Sequence, residues 1–70
     1  MNTIFKIVED ARSGLWCVCR DDEHLLNRLS IATAIRFARK FASDEHAATS
    51  HPIKVVLSSP DVDAILAQHA

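Results

Sequence analysis

A single glycine, Gly14, in 70 residues rules out the glycine-rich loop that cradles a phosphate. Two cysteines, Cys17 and Cys19, are too few for a disulfide framework. Long apolar runs are absent, the longest falling far short of the roughly 20 residues that cross a bilayer. The opening MNTIFKIVED carries acidic residues where a secretory signal needs an apolar core. These absences predict a reduced, cytoplasmic setting without a membrane. Neither sign of charge dominates: a formal net charge of −1 gives no global pull toward nucleic acid, so any electrostatic role falls to a local patch. Linkers, repeats and low-complexity tracts are missing too, which predicts one domain over 1–70.

What is present is core-forming material. At 49% hydrophobic and 24% charged residues, the composition is that of a folding globular chain. Domains this small bury only about 60% of the surface their unfolded chains expose, so they commonly lean on disulfides, a metal or a second copy.

Local patterns place the elements. Thr3 to Val8 is rich in β-branched and aromatic residues and reads as a strand; Asp10 to Gly14 is a turn whose glycine can take positive φ; Leu15 to Arg20 is the returning strand. After the acidic turn Asp21-Asp22-Glu23, His24 to Leu29 can form a third strand. Ser30 is a suitable N-cap for a helix over Ile31–Ala42, in which Ile31, Ala34, Ile35, Ala38, Phe41 and Ala42 recur at helical spacing. The polar stretch Ser43 to Pro52 reads as a loop, Ile53 to Leu57 as a strand, and Ser58-Ser59-Pro60-Asp61 as the start of a short closing helix. The expected fold is α+β in the order β-β-(β)-α-β-α: a small antiparallel sheet of three or four strands with one long amphipathic helix and a short C-terminal helix.

Trp16-Cys17-Val18, followed after a turn by Ser30-Ile31-Ala32-Thr33-Ala34-Ile35-Arg36-Phe37-Ala38, resembles a family of short bacterial domain-of-unknown-function proteins. Their pattern is a strand W-x-V and a helix beginning T-x-x-E-A-I-x-x-A. The likeness spans residues 4 to 58. Thr33 stands where that family tends to carry glutamate, and Leu57-Ser58-Ser59-Pro60 where it tends to end in an Asp-Gly turn. The resemblance implies a fold and brings no activity.

Alternation along a strand sends Trp16 and Val18 to one face, and Leu15, Cys17 and Cys19 to the other. Residues two apart in a strand stand about 6.6 Å apart, while disulfide Cβ atoms want about 3.8 Å, so a bridge between the thiols is disfavoured. His24, His46, His51 and His69 are available as further ligands, but none shows paired metal-ligand spacing. The favoured reading is small apolar packing, with no metal and no cofactor; a thiol or metal protein is the alternative.

Phe5 and Ile7 oppose Ile4 and Val8 on the first strand, and Ile53, Val55 and Leu57 oppose Val56 on the last, leaving only Lys6, Lys54 and Arg20 as polar interruptions. Both faces are apolar, and one helix covers one of them. The second face must meet the closing helix through Val62, Ile65 and Leu66, or a partner. The candidate interface is therefore Leu15, Cys17, Cys19, Ile4, Val8, Val56, Val62, Ile65 and Leu66, with a homodimer or another protein as the partner. Arg36, Arg39 and Lys40 form a basic helical stripe, the nucleic-acid alternative, although cations there also suit the helix macrodipole. Serines 30, 58 and 59 serve as caps and turns, and no catalytic residue emerges. The expectation is a non-enzymatic interaction module.

Overall fold

Alternating β-branched and aromatic side chains make Thr3–Glu9 a strand, β1, and the pairing on its two sides builds the rest of the sheet. The computed structural model describes residues 2–59, 61 and 63–69. After β1, the Gly14 N–H donates to the Asp10 carbonyl at 2.8 Å, with Gly14 at φ +70°, a conformation glycine adopts without penalty. Trp16–Arg20, β2, then returns antiparallel to β1, and Glu23–Leu29, β3, returns antiparallel to β2.

Ser30 caps the helix Ile31–Thr49, α1, its hydroxyl oxygen accepting the Thr33 N–H at 3.2 Å. Ile53–Ser58, β4, and Asp63–His69, β5, complete a five-stranded sheet of order β3-β2-β1-β4-β5. The pair β1–β4 is parallel and the others are antiparallel.

The expected antiparallel sheet of three or four strands with two helices is thus replaced, among the described residues, by a mixed five-stranded sheet with one helix. Three physical causes account for the difference. First, α1 runs on to Thr49, through the stretch expected as a loop: residues 43–49 are polar apart from Ala47 and Ala48 but contain no glycine or proline, and the helix stops only near Pro52, whose ring disfavours helical backbone before it. Ser50, at φ 60°, closes the end by donating its N–H to the His46 carbonyl at 2.7 Å. Second, a 19-residue helix is about 28 Å long, enough to return the chain to the end of the sheet where β1 began, so β4 enters parallel to β1. Third, Asp63–His69 has helix-favouring residues but too few of them for a stable isolated helix, and the free edge of β4 offers a ladder of backbone partners instead. Pro60 and Val62, both in the expected closing helix, lie outside the described residues.

The core lies between α1 and one face of the sheet. Phe5, Ile7, Val18, Ile53 and Val55 meet Ala34, Ala38 and Ala42, each no more than 1% exposed. Alanines four apart form one stripe, and their small size lets the helix backbone approach the strands. Ile31, assigned to that apolar side by its spacing, is exposed at the first turn. Arg20, opposite Phe5 on the helix side of the sheet, clamps α1 by a forked pair to Glu45, Nε to Oε1 at 2.6 Å and Nη2 to Oε2 at 3.1 Å. Beyond it, the His46 ring of α1 lies against the His69 ring of β5, centroids 5.2 Å apart.

Ala38→Leu is expected to lower stability by about 1–3 kcal/mol through overpacking, while Ala47→Leu on the exposed side is expected to be near neutral, as read by urea denaturation. The hydrogen bonds and charge of Arg20, with a hydrogen bond from Thr3, hold the Glu45 carboxyl below its ordinary value. Because the folded state binds that proton less tightly than the unfolded one, the contribution of Glu45 is complete at neutral pH and fades as pH falls below about 4.5. Glu45→Gln should therefore be less stable at pH 7 and show a shallower acid limb in pH-dependent unfolding.

Candidate functional site on the open sheet face

Residues directly opposite one another in a ladder share a face, so the pairing defines what looks away from α1. One row runs His24, Cys19, Lys6, Val56, Ile65; the next holds Cys17, Val8, Ser58 and Asp63; Ile4, Lys54 and Gln68 form a third. Among the described residues no element lies across these rows, since α1 packs on β1, β2, β4 and β5 from the other side. Lys6, His24 and Ile65 are exposed, while Ile4, Val8, Cys17, Lys54 and Val56 are half-buried among their neighbours.

The two thiols stand side by side on this face, both free, with Sγ atoms 3.9 Å apart. Cys19 is only 7% exposed although no helix covers it, because it is a small side chain set between the register neighbours Lys6 and His24. That burial, reinforced by the adjacent Cys17, pushes the Cys19 thiol up to about 11, with Lys6 acting in the opposite direction.

His24 completes a cluster with Cys17 and Cys19 whose donor atoms all lie within 4.8 Å of one another. The two-residue turn Asp21-Asp22 brings it there: with Arg20 opposite Glu23, the next pair outward is Cys19 opposite His24. This residue was not singled out by spacing alone, since C-x-C-x4-H becomes a cluster only once the turn is known to be two residues long. Opposite Cys17, β3 bulges at Asn27 and Arg28, with Arg28 at φ 56°. A depression of about 380 Å³ opens there, lined by Cys17, His24, Leu15, Asn27 and Arg28 among others.

The structure spreads the other sequence candidates over several places. Leu15 sits at the lip of the depression, 37% exposed. Ile4, Val8, Val56 and Ile65 share the open face with the thiols, and Leu66 occupies the bulge where β5 shifts register against β4. Ile65 and Leu66, expected to shield this face from a closing helix, are exposed strand residues. Val62 lies outside the described residues. Arg20, one of the three polar interruptions of the strands, lies on the helix side, the side to which alternation sends Trp16 and Val18. Arg36, Arg39 and Lys40 are exposed on the outer side of α1, where Lys40 already faces Asp44 at 3.6 Å.

Comparison with protein-family models, with curated proteins and with solved structures finds no match for the chain. No helix among the described residues is long and apolar enough to cross a membrane.

At pH 8 only about one Cys19 in a thousand is a thiolate, so brief iodoacetamide treatment should label it far more slowly in native protein than in urea, with the rate rising about tenfold per pH unit. Peptide mapping by mass spectrometry reads this directly, and equal labelling in both states would contradict the buried placement. The sign for stability follows: the unfolded thiol loses its proton first, so stability holds below pH 9 and falls between 9 and about 11.

Proposed function

We propose that this chain is a non-enzymatic interaction module that pairs with a second copy of itself through the sheet face opposite α1. The observation that carries the reading is the apolar group Ile4, Val8, Cys17, Val56 and Ile65 on a face that no described element covers. A chain of 70 residues gains from association, because folding alone buries a smaller share of its surface than in a larger domain, about 60%. The face also suits a two-fold copy, in which one patch must complement itself. It carries both charge signs, Lys6 and Lys54 near its centre and Asp63 at its β5 border, so a rotated partner can set acid against lysine. The lysine stems add apolar cover while their ammonium groups reach the rim.

Ile65 is the clearest test, being 59% exposed and therefore free to change without harming the monomer. Light scattering on the native protein should give twice the chain mass. Burying one isoleucine contributes about 2 kcal/mol, so Ile65→Glu should raise the dimer dissociation constant at least thirtyfold. A strict monomer at millimolar concentration would refute the reading.

A further inference from the structure

We propose that Cys17, Cys19 and His24 form a binding site for a thiophilic d10 cation, zinc(II) or copper(I). Three independent features of the geometry support it. The sulfurs are already spaced for a shared ion: two thiolates each about 2.3 Å from zinc at the tetrahedral angle stand about 3.8 Å apart, and here they are 3.9 Å apart. The imidazole comes from the neighbouring strand, in register with Cys19, and all donor atoms fall within 4.8 Å. His24 is exposed, so its ring can close the remaining gap of about 1 Å by rotation without disturbing the core.

The donor set selects the ion. Two sulfurs and an imidazole nitrogen are soft to borderline ligands, which favour zinc and copper(I) over calcium or magnesium. Three protein ligands leave zinc one open coordination position, the pattern that separates an exchangeable site from a closed structural one. Cys17 and His24 also line the 380 Å³ depression, which gives a small exogenous donor room beside the cluster. Binding replaces the two thiol protons with the cation and releases both to solvent, so no oxidant or reductant is required.

All three ligands belong to one hairpin, β2 to β3, of one chain, so the site stands whether or not the chain dimerises. It does share the open face with the proposed interface, and the dimer test at Ile65 lies on the opposite edge strand, which keeps the two experiments separate.

The test is titration of the reduced protein with zinc(II) alone against a chromophoric chelator, and with copper(I) under anaerobic competition. Cobalt(II) serves as a spectroscopic probe for thiolate-to-metal charge transfer. One equivalent per chain is expected, with charge-transfer absorption. His24→Gln should weaken binding at least tenfold and Cys17→Ser at least a hundredfold, while His69→Gln, on β5 at the opposite edge of the sheet, should leave it unchanged. Because His24 is exposed, His24→Gln remains folded by circular dichroism and carries the test even if a cysteine variant does not. Absence of stoichiometric binding, or binding unaffected by both His24→Gln and Cys17→Ser, would overturn the assignment.

Discussion

A helix about 10 Å across cannot shield both sides of a sheet whose five strands, spaced about 4.8 Å apart, span roughly twice that width. Here α1 lays its alanine stripe over β1, β2 and β4, and the fully buried side chains all lie in that layer. The arrangement creates one dry face and one face left to other means. On the second face the strands alternate apolar side chains with lysines, and among the described residues Cys19 is buried by its neighbours within the sheet.

That asymmetry gives the β2–β3 hairpin its chemistry. The same alternation that sends Val18 into the core sends Cys17 and Cys19 outward, and the tight Asp21-Asp22 turn fixes which residue of β3 faces them. A turn longer by one residue would put a different side chain beside Cys19 and move His24 out of register. Cys19 is packed and keeps its proton at neutral pH, which disfavours nucleophilic chemistry there yet leaves the sulfur available to a cation able to displace the proton.

The far half of α1 is fastened to the sheet by contacts that composition hides. Glu45, in a stretch that reads as loop, is the residue to which Arg20 and Thr3 attach α1. His46 does similar work at the β5 edge, its ring stacked on His69 and its Nδ1 hydrogen-bonded to the His51 carbonyl at 2.8 Å. Both depend on α1 continuing past Ala42. Polar residues conceal that continuation from any reading that equates polarity with a turn, because an exposed helical turn is also polar.

Local signals were sufficient where they needed no partner: the β1 alternation, the Gly14 turn, the Ser30 cap and the alanine spacing each specify their element from neighbouring residues. The division of Trp16 and Val18 from Cys17 and Cys19 was equally legible, since a strand has a period of two. Tertiary structure alone decided the fate of Asp63–His69, because a short segment with mixed preferences takes whichever state supplies backbone partners, and β4 presents a free edge. It also decided the joining of His24 to the thiols, since residues five to seven apart meet only when the register between two strands is set.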